Sequence, residues 1–237
     1  TYSAAGAAAD YTAVDVRFDA AGAEFTVQSE HGDLAVRTGL PGGFNVANAL
    51  AALAGAVALG VDPDDAVEAL AGAGRVPGRM EPIDEGQGFA VLVDYAHTPD
   101  SVENVLRAAR ELTPGRLIAV IGAGGDRDRA KRPLMGRAGA ELADLTVVTS
   151  DNPRSERPEA IIDEVLAGIE DRDAVRVEVD RDRAIGLAVE SAAPGDTVVI
   201  AGKGHEQGQE FEGGRKIPFD DREVARAHLR ALAGGRA

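Results

Sequence analysis

The chain has 237 residues, 44% hydrophobic and 27% charged, with no Cys and no Trp, a globular composition that excludes collagen-like, disordered and disulfide-stapled chains. Forty acidic against 25 basic residues leave a formal charge of −15, which argues against a nucleic-acid groove, because phosphate polymers need a basic footprint. The lack of cysteine removes thiolate metal sites and cysteine nucleophiles, and no apolar run of about 18 residues is present to insert in a membrane. Residues 1–10 do not read as a secretory signal, so a cytoplasmic protein is expected.

The first forty residues alternate with a period of two at Val14–Val16–Phe18, Phe25–Val27 and Leu34–Val36, broken by Ala20-Ala21-Gly22 and Glu30-His31-Gly32. This predicts an antiparallel meander with one apolar face. After Pro41-Gly42-Gly43 the period becomes helical, with Val46, Leu50, Leu53, Val57 and Leu59 ahead of Gly60. A second helix is expected from Asp62 as N-cap and Pro63 at its first position to about Gly72. Gly and Pro then cluster in Gly74-Arg75-Val76-Pro77-Gly78-Arg79, which marks a boundary between residues 1–77 and 78–237.

From residue 89 the chain repeats strand, loop and helix. The expected strands are Phe89–Val93, Leu117–Ile121, Leu145–Thr149, Val175–Val179 and Thr197–Ala201, and helical spacing follows, as in Val102, Val105, Leu106 and Ala109. Apolar strands alternating with helices predict an α/β domain: a doubly wound, mostly parallel, Rossmann-like sheet covered on both faces. Val224, Ala225, Leu229 and Leu232 of a last helix read as core. Ligands in such sheets bind at the carboxyl ends of the strands, where the polar motifs fall. Asp94-Tyr95-Ala96-His97, Gly122-Ala123-Gly124-Gly125-Asp126-Arg127, Ser150-Asp151-Asn152-Pro153-Arg154 and Gly202-Lys203-Gly204-His205-Glu206 each follow a strand.

Each motif has a functional and a purely structural reading. The glycine loop fails as a dinucleotide fingerprint, because Arg127 stands where the third glycine belongs. It still offers backbone N–H groups to an anion, and Arg127 adds a fork suited to a carboxylate; the alternative is a plain turn. No G-x-x-x-x-G-K-[ST] segment is present. Asp151, Asn152, Pro153 and Arg154 together carry what is needed to grip an amino-acid zwitterion. Alternatively Asp151 or Asn152 caps the next helix and Arg154 pairs with Glu156 or Glu159. Gly202 allows close backbone approach and Glu206 supplies a second acid. His97 and His205 read equally as general bases, nucleotide contacts or helix-entry residues.

Six segments in order closely resemble the Mur ligases: Gly43-Phe44-Asn45-Val46-Ala47-Asn48, Gly78-Arg79-Met80-Glu81, Asp94-Tyr95-Ala96-His97-Thr98-Pro99, Gly124-Gly125-Asp126-Arg127-Asp128, Asp151-Asn152-Pro153-Arg154 and Gly202-Lys203-Gly204-His205-Glu206. The resemblance implies ATP-dependent amide ligation in peptidoglycan precursor synthesis, and so a part in cell wall biogenesis, cell shape and division. ATP would phosphorylate the carboxylate of UDP-N-acetylmuramoyl-L-alanyl-D-glutamate, and the incoming amine would displace phosphate from the acyl phosphate. Magnesium would neutralise the phosphates. The D-N-P-R motif marks members that take meso-diaminopimelate rather than L-lysine. The resemblance places Arg127, Asp151, Asn152, Pro153, Arg154, Gly202 and Glu206 around that amino acid, and Asn45, Asn48, Arg79, Asp94, Tyr95 and His97 near ATP. An Arg154 deprived of its carboxylate would be an unpaired buried charge, which would reject lysine.

The resemblance begins partway through the family's central domain, and the family's UDP-sugar domain, P-loop, magnesium-binding acid and carbamylated lysine have no counterpart in these residues. Residues 1–77 are expected to be the end of the central domain and 78–237 the C-terminal domain. The chain alone would then be an inactive, monomeric part of a ligase, with ATP and magnesium held mainly elsewhere and no metal site of its own. Two other readings stay open: a sibling ligase of the lysine-adding, folylpolyglutamate or cyanophycin type, and a non-catalytic amino-acid-binding module.

Overall fold

The computed structural model describes residues 1–19 and 21–235, and the chain divides into two units, Thr1–Val76 and Pro77 onward. In the first unit, strands β1 (Tyr2–Ser3), β2 (Tyr11–Asp19), β3 (Gly22–Ser29) and β4 (Gly32–Thr38) form one sheet in that order. The meander β2–β4 is antiparallel, as its alternation predicts, while β1 adds to β2 in parallel. Of the expected break at Ala20-Ala21-Gly22, Ala20 lies outside the described residues. Asp19 accepts from the amides of Ala21 and Gly22 at 2.7 and 3.2 Å.

Helix α1 (Gly43–Ala58) and helix α2 (Pro63–Gly72) follow. Val46, Leu50 and Leu53 of α1 and Ala66 of α2 join Ala13, Phe25, Val27, Leu34 and Val36 of the strands in one core. Asp62 caps α2 by accepting from the Asp64 amide at 2.9 Å. Leu59 departs from expectation: α1 ends at Ala58, Gly60 takes φ 91°, and Leu59 is 88% exposed. It continues the helical period in sequence but sits at the C-cap, where the chain turns outward.

The second unit is built on a six-stranded sheet of order β5-β6-β10-β7-β8-β9. Its strands are β5 (Glu81–Pro82), β6 (Ala90–Asp94), β7 (Leu117–Ala123), β8 (Leu145–Ser150), β9 (Val175–Val177) and β10 (Thr197–Ala201). All neighbours are parallel except the short edge pair β5–β6. The helices α3 (Pro99–Glu111), α4 (Lys131–Leu142) and α5 (Pro158–Leu166) succeed one another along one face, with α6 (Arg181–Ser191) and α7 (Asp221–Gly234) packed together on the other. Ile185, Val189, Ala225 and Leu229 meet Val91, Val93, Ile118, Val120, Val198 and Ile200 in a core that is almost wholly buried. Burial of each such large side chain contributes roughly 1.5–3 kcal/mol.

Two expectations shift here. The strand predicted over Val175–Val179 covers only Val175–Val177, because it is the outer strand, paired with β8 alone, and Val177 is exposed. A hairpin of β11 (Gly208–Glu210) and β12 (Lys216–Pro218), joined through a short helical turn at Glu212–Gly214, had no sequence prediction.

Candidate functional site

Strands β6, β10, β7 and β8 are neighbours in the sheet, so the loops leaving their carboxyl ends share one rim. Backbone geometry brings them close. Gly202 has φ 127°, and a Cβ there would lie 2.6 Å from Asp151 Oδ2, so only glycine lets β10 turn beneath that carboxylate. Gly125 is as tightly placed: a Cβ would fall 1.8 Å from the Pro153 carbonyl oxygen, and its amide donates to Asn152 O at 2.8 Å.

The result is an open cleft of about 430 Å³, whose lining includes Tyr95, His97, Arg127, Asp151, Asn152, Arg154, Gly202 and Glu206. Asn152 is fixed in both senses. Its Oδ1 accepts from Lys203 Nζ at 2.8 Å and from the Glu210 amide at 2.9 Å, and its Nδ2 donates to Glu206 Oε2 at 3.0 Å. Lys203 is fully buried and also reaches Glu206 at 3.3 Å and Asp151 at 4.0 Å. Burial opposes ionisation of Glu206, but the Asn152 hydrogen bond and the Lys203 charge outweigh it and hold the carboxyl below its ordinary value. Tyr95 donates its hydroxyl to Glu206 at 3.4 Å; burial and that carboxylate raise the phenol above its usual value.

Arg154 stands at φ 52°, a strained backbone for a bulky non-glycine residue. Its Nη1 donates to Gly125 O at 2.7 Å and its Nε to Glu210 Oε2 at 3.1 Å. The alternative pairings do not form. Glu156 is taken by the buried Arg132 at 2.7 Å, Glu159 lies beside Arg157, and α5 starts after Arg157 with no side-chain cap from Asp151 or Asn152. Pro153 shapes the turn from its outer side and does not line this cleft. Arg127 is exposed at the rim. The glycine loop is less of an anion cradle than expected, since the Gly125 amide serves Asn152 and the Asp126 amide serves Glu156 Oε1 at 2.7 Å.

The residues expected near ATP are divided between the two units. Arg79 lies over the Tyr95 ring at 5.0 Å, with the rings of His97 and His205 at 4.7 and 5.4 Å from it. Asp94 turns away from the cleft and accepts from the Met80 amide at 2.8 Å; burial raises its carboxyl above the ordinary value despite that bond and the nearby Arg79. Asn45 and Asn48 belong to the first unit, at the start of α1, where Asn45 Nδ2 donates to Pro41 O at 2.8 Å and Asn48 Nδ2 to Asn45 Oδ1 at 3.2 Å. Among the described residues no group of three or more His, Asp and Glu side chains converges to hold a metal.

The model of the Mur ligase glutamate ligase domain matches residues 78–204, and that of the Mur ligase middle domain matches residues 1–56. The chain belongs to the Mur ligase family. It is 51% identical over 224 residues to the UDP-N-acetylmuramoyl-L-alanyl-D-glutamate--2,6-diaminopimelate ligase of Thermosynechococcus vestitus, covering 94% of this chain and 45% of that protein. Identity to the enzyme of the same name from Streptomyces coelicolor is 49%, covering 99% and 47%. The chain thus spans about half the length of the curated relatives it matches. A solved structure of a ligase of that name superposes with a TM-score of 0.69 at 42% identity, covering 98% of this chain and 48% of that one. A folylpolyglutamate synthase of Mycobacterium tuberculosis, 21% identical with a TM-score of 0.66 over 95% and 48% of the two chains, shares the fold.

Sequence reasoning missed several residues that shape the rim of this Mur ligase chain. Arg181, fully buried at the start of α6, donates to both Asp221 oxygens at 2.8 Å, to Ala201 O at 3.0 Å and to Ser150 O at 3.4 Å. It therefore ties the ends of β10 and β8 to α7. Arg132 does the same for Gly124 O, at 3.1 Å, through Glu156 and Glu164. Lone arginines within helices give no sequence signal. Lys203 falls within Gly202-Lys203-Gly204-His205-Glu206, and its place between two glycines after a strand is the sequence signal of its burial.

Proposed function

We propose that this chain is the amino-acid-holding part of a Mur-type ligase that joins meso-diaminopimelate to UDP-N-acetylmuramoyl-L-alanyl-D-glutamate, with the cleft as the diaminopimelate site. One observation carries the reading: a single cleft is lined by the Arg154 fork and by the acids Glu206 and Asp151. That charge pattern is complementary to a zwitterion. In this reading Arg154 and Arg127 receive carboxylate, Glu206 and Asp151 receive ammonium, and Lys203 and Asn152 hold the acids in place. The names of the relatives at about 50% identity support the same substrate.

The reaction proposed for the whole ligase is transfer of the ATP γ-phosphoryl group to the glutamyl carboxylate, then attack by the diaminopimelate amine, which loses a proton as phosphate departs. The residues described here orient the amine and exclude misaligned approach. Arg79, Tyr95 and His97 are proposed to lie near the nucleotide. The setting is proposed to be cytoplasmic, where ATP and nucleotide-linked precursors are found.

The test is calorimetric titration of the chain with meso-diaminopimelate, with L-lysine as control and Arg154→Ala as second control. Selective binding that the variant loses, by about 1.5–3 kcal/mol for a charge-assisted contact, supports the assignment. Equal losses for both amino acids would reject it.

A further inference from the structure

We infer that Glu210 on β11 is a specificity-determining positioning residue: it grips the Arg154 guanidinium by Nε and so sets which N–H groups the cleft offers to a ligand carboxylate. This rests on the reading above that Arg154 meets the distal carboxylate of the amino acid.

A guanidinium has five N–H groups in a rigid fork. Glu210 Oε2 accepts from Nε at 3.1 Å and Gly125 O accepts from Nη1 at 2.7 Å, and among the described residues Nη2 has no hydrogen bond. Glu210 and Gly125 therefore engage two of the five N–H groups, and the two on Nη2 with the second on Nη1 are left for a ligand carboxylate. The hairpin is itself anchored to the loop it serves. Gln209 Nε2 donates to Asp151 O at 2.7 Å and to Ser150 Oγ at 3.2 Å, the Arg154 amide donates to Glu210 O at 3.0 Å, and Phe211 forms a bridge with Arg154. None of these bonds uses the Glu210 side chain. Replacing that side chain removes the grip on the fork and leaves the hairpin's attachment intact.

Glu210 also alters the basis of selectivity. The two side chains are 20% and 32% exposed and already paired, so L-lysine, which brings no distal carboxylate, does not strand a lone cation. Preference for diaminopimelate then depends on how well the fork is aimed. Glu210→Ala leaves the Arg154 guanidinium held only by its Nη1 bond to Gly125 O, about which it can pivot; Glu210→Gln keeps an oxygen to accept from Nε while removing the charge.

The experiment titrates the unaltered chain, Glu210→Ala and Glu210→Gln with meso-diaminopimelate and with L-lysine, checking each fold by its thermal midpoint. Proton exchange at the Arg154 Nε–H is followed by NMR without ligand. The expected result is a roughly tenfold loss of the diaminopimelate-to-lysine preference in Glu210→Ala, the scale of one charge-assisted hydrogen bond. That loss should come with faster Nε–H exchange, and both should be restored in Glu210→Gln. The same preference in all three proteins, or equal loss in both variants, overturns the role of Glu210. No preference in the unaltered chain overturns the diaminopimelate reading first, and this inference falls with it.

Discussion

Substituting Arg181 tests whether the rim is held from beneath. The Arg181–Asp221 pair is wholly buried, with two contacts of 2.8 Å between the guanidinium and the carboxylate. Burial works against the Arg181 charge, but the neighbouring Asp221 outweighs it and keeps the cation favoured. Arg181→Met leaves the Asp221 carboxylate buried without its counter-charge and the carbonyls of Ala201 and Ser150 without this donor. Breaking one side of such a pair costs about 3–5 kcal/mol, whereas replacing both sides by apolar residues is often neutral. A domain is stable by only about 5–15 kcal/mol, so the single variant should be close to unfolding. The assay is urea denaturation of Arg181→Met, Asp221→Leu and the double variant. Both single variants should shift the midpoint far down at unchanged slope, and the double variant should recover most of the loss. Single variants within about 1 kcal/mol of the unaltered chain, or a double variant that only adds the two losses, would refute the reasoning.

Two further outcomes follow from carboxylates shifted in opposite directions. Arg132, with the Asp126 amide, pulls Glu156 from its ordinary 4.5 down to about 2. A lowered folded value means that its contribution is complete above 4.5 and is lost as pH falls toward 2. Glu156→Gln should therefore flatten the pH dependence of the urea midpoint between pH 5 and 3, and an unchanged slope there would count against the Arg132 contact. Asp94 has the opposite sign: burial raises its value, so its ionised form weakens the fold as pH rises through the folded value. Asp94→Asn, whose amide oxygen still accepts from Met80, should be at least as stable as the unaltered chain at pH 7. Asp94→Leu should lose about 1–3 kcal/mol by orphaning that amide, and equal midpoints for the two would show that the bond is immaterial.

The parallel sheet was legible because its inner strands are buried on both sides and so appear as unbroken apolar runs such as Thr197–Ala201 and Leu117–Ile121. The rim was legible for the same reason, since polar motifs begin where those runs stop. The hairpin was not: Gly208-Gln209-Glu210 and Lys216-Ile217-Pro218 are too short and polar to show a period. Its strands are fixed by Gln209 and Glu210 bonding to a loop more than fifty residues earlier. Arg132 and Arg181 were invisible because a lone charge in a helix usually marks a solvated face, and the partner of Arg181 lies forty residues away.

That missing hairpin changes the argument about selectivity. Read from sequence, Arg154 rejects lysine by being left buried and unpaired. In the structure it is partly exposed and paired with Glu210. On the proposed reading, a ligand without a distal carboxylate therefore incurs little penalty at Arg154, and discrimination comes from what diaminopimelate gains at a fork already held by Glu210 and Gly125. A preset fork loses less conformational freedom on binding than a free arginine. The same economy holds at Glu206, which Asn152 and Lys203 fix before any ammonium arrives. On the proposed reading, selectivity in this cleft is a property of the loops that hold Arg154 and Glu206 in place, and it is at Glu210, Asn152 and Lys203 that it should be most easily lost without touching the ligand.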